Sequence, residues 1–141
     1  MTRKRRRAAL IAPLAATALG LGLSVGPATA ASRSRTDTFT FTNSAGNSVT
    51  CTFESVQDLT DNGFLTVSTT VSGPAGCDPS RMAIHVEYHR SGGGGESSDV
   101  VGEGRFLSAT YTGVAPSVFS THAASLPACG CFISYDLRQS K

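Results

Sequence analysis

The sequence predicts an all-β protein: a small antiparallel β-sandwich of immunoglobulin-like shape, about eight short strands, stapled by two disulfides. Three observations predict it. Apolar and polar residues alternate with a period of two over most of residues 38–138. β-Branched residues are abundant in those runs, with turn residues between them. Four cysteines follow a leader of secretory layout.

The leader comes first in the chain. Arg3-Lys4-Arg5-Arg6-Arg7 is a basic block without an acid, residues 8–25 are apolar or small, and Gly26-Pro27 breaks any helix. Ala28-Thr29-Ala30 then places small residues where a signal peptidase reads them. Basic, apolar, A-x-A is the order of a secretory signal peptide, here cleaved between Ala30 and Ala31. A retained membrane anchor is the competing reading, because the apolar run is nearly long enough to span a bilayer. Pro13, Gly20, Gly22 and Gly26 weigh against it. The first cysteine is Cys51, so no lipid-accepting thiol stands at the cleavage point. The adjacent arginines leave the general and twin-arginine export routes both open.

Removing the leader changes the charge. The chain holds 12 basic and 10 acidic residues, and five of the basic ones precede residue 31, which leaves 7 against 10, a net of −3. A mildly acidic domain with scattered charge gives no electrostatic reason to bind nucleic acid or anionic lipid. The expected division is a signal peptide over 1–30, a polar and flexible lead-in over 31–37, and one domain over 38–141.

At this size burial leaves modest stability, so covalent staples matter. In an exported chain Cys51, Cys77, Cys129 and Cys131 read as two disulfides. Zinc ligation needs paired spacings that Cys51 and Cys77 do not form. Of three connectivities, the favoured ones join Cys51 and Cys77 each to one member of the Cys129/Cys131 pair. Two cysteines facing the same way on one strand would be strained by a direct bridge.

The strands follow in order. Residues 38–42 alternate Thr with Phe, and Ser44-Ala45-Gly46-Asn47 turns the chain. Val49, Cys51 and Phe53 share one face; after Asp61-Asn62-Gly63 so do Leu65, Val67, Thr69 and Val71. Met82, Ile84, Val86 and Tyr88 form an apolar stripe opposite Arg81, Ala83, His85, Glu87 and His89. Gly92 to Gly95 open a flexible loop, and strands are expected near 98–102, 105–112, 117–124 and 130–138. In the last, Cys131, Ile133, Tyr135 and Leu137 share a face. Gly102-Glu103-Gly104 reads as a hairpin turn.

No motif predicts catalysis, a cofactor or a metal site. His85-x-Glu87-x-His89 has the residue types of a metal site, but on a strand its histidines stand about 13 Å apart. It reads as the wet side of an amphipathic strand, unless His122 or another distant residue completes a site. Ser120 and His122 are close in sequence, yet no G-x-S-x-G elbow accompanies them. The acids Glu54, Asp58, Asp61, Glu87, Glu96, Asp99, Glu103 and Asp136 are scattered. Gly76-Cys77-Asp78-Pro79-Ser80-Arg81 has the make-up of a rigid inhibitor-like loop and equally of an ordinary turn; the turn is preferred. The same holds for Leu126-Pro127-Ala128-Cys129-Gly130-Cys131.

In leader style, size and two-bridge β pattern the chain resembles small secreted proteins of actinobacteria, of the enediyne-carrier and subtilisin-inhibitor types. The motifs of neither family align with it, and no functional residue is carried over. The expectation is a secreted, non-enzymatic domain that binds an unknown protein or small-molecule partner, through loops such as the glycine loop and the Cys77 turn, with no nucleic acid and no membrane span after leader removal. A small secreted hydrolase and a cell-envelope protein assembling through strand edges are the alternatives.

Overall fold

The computed structural model describes residues 31–140; the leader and its cleavage position before Ala31 lie outside them. Eight strands form two antiparallel four-stranded sheets. They are β1 Ala31–Thr42, β2 Ser48–Leu59, β3 Leu65–Ser72, β4 Arg81–Arg90, β5 Gly95–Gly102, β6 Phe106–Tyr111, β7 Val114–Leu126 and β8 Cys131–Ser140. One sheet runs β1-β2-β3-β6 and the other β5-β4-β7-β8, a sandwich of immunoglobulin-like shape with its own strand order. Among the described residues no helix is long and apolar enough to cross a membrane.

Alternation sets the inner faces, as the sequence predicts. On β4, Met82, Ile84 and Val86 have no exposed surface, and on β3 Leu65, Val67 and Thr69 have none. The apolar interior falls into two clusters. One gathers Val49, Cys51, Phe53, Val71, Cys77, Met82, Ala124 and Leu126; the other Leu59, Leu65, Val67, Ile84, Val86, Tyr88, Val114 and Val118. Burying such side chains is the main driving force of folding, at about 1.5–3 kcal/mol each.

Four expectations are corrected. Residues 31–37 are no lead-in: they are the first half of β1, paired residue for residue with Leu59 to Phe53. Arg35 holds this segment, with its Nε 2.6 Å from Asp37 and its guanidinium 3.9 Å over the Tyr135 ring. The bridges are Cys51–Cys77 and Cys129–Cys131. The strand begins at Cys131, and Cys129 lies in the preceding turn, which brings the two Cα atoms to 5.1 Å, so the argument from one shared strand face does not apply. Gly102-Glu103-Gly104 is not a hairpin turn, because β5 and β6 belong to different sheets and the segment crosses between them. The glycines 92–94 make a tight turn: Gly93 N–H bonds Arg90 C=O at 2.9 Å and Arg90 N–H bonds Gly94 C=O at 3.3 Å.

The Cys77 loop is tied down rather than presented. Arg105 donates to Asp78 at 2.6 Å and to the carbonyls of Gly73 and Pro74 at 2.6 and 3.0 Å. That guanidinium holds the Asp78 carboxyl below its ordinary value, first by the hydrogen bond itself. Gly73 (φ +138°) must be glycine, since a Cβ there would stand 2.6 Å from Cys77 Sγ. Two closed bridges and no free cysteine belong to an oxidising environment outside the cytoplasm.

The two bridges differ in what they constrain. Cys51–Cys77 spans a separation of 26 residues and Cys129–Cys131 of two. Chain entropy then gives about 3.5 kcal/mol for the first and roughly half that or less for the second. The Cys51→Ala/Cys77→Ala variant should lose at least that larger amount in urea unfolding, and Cys129→Ser/Cys131→Ser far less. Equal losses would contradict this assignment.

Candidate functional site

The inner faces carry a polar layer between the two apolar clusters. Ser55 and Gln57 of β2, Thr69 of β3, Ser120 and His122 of β7 and Gln139 of β8 are all at least 97% buried. Their parity puts them there: Ser55 and Gln57 continue the face of Phe53, and Ser120 and His122 that of Ala124 and Leu126. Polar groups so placed need partners, because an unsatisfied one costs about 1–3 kcal/mol.

Hydrogen bonds join them into one chain. Ser120 Oγ donates its one proton to Gln57 Oε1 at 2.7 Å, so at His122 Nε2, 2.8 Å away, it accepts. On the other side of the ring Nδ1 lies 2.7 Å from the Thr69 hydroxyl. Gln57 Nε2 passes the sequence on to Gln139 Oε1 at 3.4 Å. Gln139 Nε2 ends the chain buried, with no partner among the described residues; Ser55 Oγ is likewise unpartnered.

Ser120 and His122 thus meet as the spacing allowed, but with no exposed surface to admit a substrate. Burial drives the His122 pKa down to about 4, against weaker opposing pulls from the Ser68 carbonyl and Asp136.

On the outer face of the same sheet His85 stands between two carboxylates. Its Nδ1 is 2.6 Å from Asp99 Oδ1, directly across in β5, and its Nε2 is 3.2 Å from Glu87 Oε1. The hydrogen bond to Asp99 is the larger cause of a raised His85 pKa, that to Glu87 the next. His122 points into the core from the opposite face of the sheet and does not join His85 and His89. Among the described residues no group of three or more His, Cys, Asp or Glu side chains is placed to hold a metal ion.

A cleft of about 630 Å³ opens at the end of the sandwich away from the disulfides. Arg33 from β1 forms part of its wall, with Phe119 of β7 and Arg138 and Gln139 of β8. Glu87 and His89 of β4 and Glu96 of β5 complete the rim. The β4–β7 ladder slips at this place, between Tyr88 and Arg90, opposite Pro116, which has no N–H to give. Arg90 donates to Glu96 at 2.6 Å and Tyr88 to the same carboxylate at 2.8 Å, which holds the Glu96 carboxyl below its ordinary value. The Arg138 guanidinium lies 4.5 Å over the Phe119 ring.

Sequence reasoning missed this cleft and the buried polar layer. Extending the alternation of β2 past Phe53 was the signal for Gln57; nothing local announces that Arg33 and Arg138 line one cleft. Comparison with known protein families, curated proteins and solved structures finds no match.

Two pH effects of opposite sign follow. Between about pH 6.5 and 4 the unfolded chain takes a proton at His122 that the folded chain refuses, so stability falls as the pH falls through that window. The full effect is on the order of 3 kcal/mol. His122→Gln should flatten the urea-derived stability profile there by that amount; a parallel profile would rule out a neutral buried ring. His85 acts the other way, since its raised pKa adds stability at low pH that is lost as the pH rises through the folded value. NMR titration should place His85 above 6.5, and Asp99→Asn should return it towards that value; no change would remove Asp99 as the cause.

Proposed function

We propose that this chain is an exported, non-enzymatic binding domain that works outside the cytoplasm. The observation that carries the reading is the end cleft. Its volume lies within the range of ligand pockets, and its walls come from both sheets of a covalently stapled sandwich. Clefts of this kind, set on rigid β scaffolds, are where small ligands and partner side chains are taken up. The leader and both closed bridges support export. A hydrolase would need a nucleophile open to substrate, and the one Ser–His pair in hydrogen-bond contact among the described residues is buried.

Intact mass of the protein recovered from the medium of its producer tests this. The expected denatured mass is that of residues 31–141 less about four hydrogens for two bridges, with added mass in the native spectrum from a carried ligand or partner. An uncleaved chain kept in the cell would defeat the export reading. Turnover of a substrate lost on mutating cleft residues would defeat the non-enzymatic one.

A further inference from the structure

Among the described residues the sandwich has four open strand edges: β1 and β6 in one sheet, β5 and β8 in the other. An open edge shows a row of unpaired backbone groups, and folded chains blunt it with an inward-turned charge, a break or a short length. Three of the four are blunted in this way. β6 has six residues. β5 begins and ends in glycine and turns Glu96 to the inner side, opposite Tyr88. β1 turns Arg33, Arg35 and Asp37 inward, opposite Gln57, Ser55 and Phe53.

β8 has none of these devices. It runs for ten residues, Cys131–Ser140, without proline, glycine or lysine. Its ladder with β7 is regular from Cys131, opposite Leu126, to Ser140, opposite Ser117. The side chains it turns inward, Ile133, Tyr135, Leu137 and Gln139, are uncharged. Among the described residues no backbone group outside that ladder bonds to it. Such an edge is a template for another strand.

The charges on its outer face say which strand fits. Asp136 and Arg138 are exposed, and neither forms an ion pair among the described residues. Asp136 takes the Thr121 hydroxyl on Oδ1 at 2.8 Å, which leaves Oδ2. Arg138 lies 4.5 Å over the Phe119 ring, a contact that uses none of its N–H groups. Lay a second β8 antiparallel to the first with a two-fold axis at Leu137, and Asp136 of each copy stands opposite Arg138 of the other. The same register sets Ser134 against Ser140 and Tyr135 against Gln139. Opposite charges and hydroxyl pairs directly across a ladder are the favourable cases. A two-fold interface must be complementary to itself, and the order Asp-x-Arg makes this edge so.

We propose that β8 is a dimerisation edge, through which two copies of this chain join antiparallel, Ser134 to Ser140 against the same segment, into one continuous sheet. The inference goes beyond the binding-domain reading and does not rest on it. Arg138 and Ser140 also border the end cleft, so the second copy stands at its β8 side.

The test is sedimentation equilibrium of the purified protein, expressed from the full chain, at about 100 μM, where a micromolar Kd pairs most chains. The expected mass is that of two copies. Arg138→Asp sets carboxylate against carboxylate at both symmetric positions and should weaken the dimer roughly tenfold or more. Asp136→Arg should do the same with guanidiniums. The exchange Asp136→Arg/Arg138→Asp restores opposite charges in the same register and should restore the dimer. Both side chains are exposed, and an unchanged circular dichroism spectrum will show that each variant is folded. A monomer, a dimer indifferent to both single substitutions, or an exchange variant as dissociated as the single ones would each overturn the β8 pairing. Those outcomes leave the export and binding-domain reading to its own mass measurement.

Discussion

The hydrogen-bonded layer through His122 is the constraint on which the rest of the sandwich depends. It joins β2 and β3 of one sheet to β7 and β8 of the other. Apolar contacts on either side of it tolerate a slip of two residues, which keeps the same face inside, since one buried Val resembles another. The layer does not. Sliding β7 by two residues would carry Ser120 and His122 away from Gln57 and Thr69 and leave them unpaired in the interior. Its net contribution to stability is modest, about 0.5–1.5 kcal/mol per bond. Its larger effect is to make every alternative register costly. It also divides the core into the cluster around the Cys51–Cys77 bridge and the cluster beneath the cleft end.

Most of the fold was legible because most of it obeys one rule. Where a strand has one wet face and one dry face, the period of two shows which residues go inside, and β3, β4 and β8 were read correctly on that ground. The rule fails where its premise fails. The first half of β1 is an edge strand with polar side chains on both faces, so Ser32 to Asp37 read as unstructured although the backbone is fully paired. On β2, Ser55 and Gln57 are polar residues at buried positions, so the inner face was named only as far as Phe53 although the strand runs to Leu59. The disulfide pattern was misjudged for a different reason. Bridging depends on where a turn ends, and the boundary between Cys129 in the turn and Cys131 in the strand lies within a single residue of chain.

The candidate site was not legible, and the physical reason is topological. Arg33 and Arg138 stand near opposite ends of the domain sequence, on the edge strands β1 and β8 of different sheets. They line one cleft only because those two edges face each other across the sandwich, where Arg35 also covers Tyr135. Motif reading is drawn instead to local groupings such as His85-x-Glu87-x-His89. That grouping is real on the surface, where His85 pairs with Asp99 across the ladder.

The two ends of the molecule are held by different means, and the difference bears on the proposed binding end. The far end has both disulfides, with Arg105 bracing the Cys77 loop. The cleft end has no covalent tie; Val114 N–H to Gly63 C=O at 3.0 Å and Ser91 N–H to Gly113 C=O at 2.9 Å join its turns. Hydrogen-bonded turns open at lower free energy than bridged ones, so adjustment to a ligand is easier at the cleft end. The polar layer lies on the other side of the sheet from Arg138 and Phe119. The buried, neutral imidazole therefore constrains the register of the sheets without opening into the cleft.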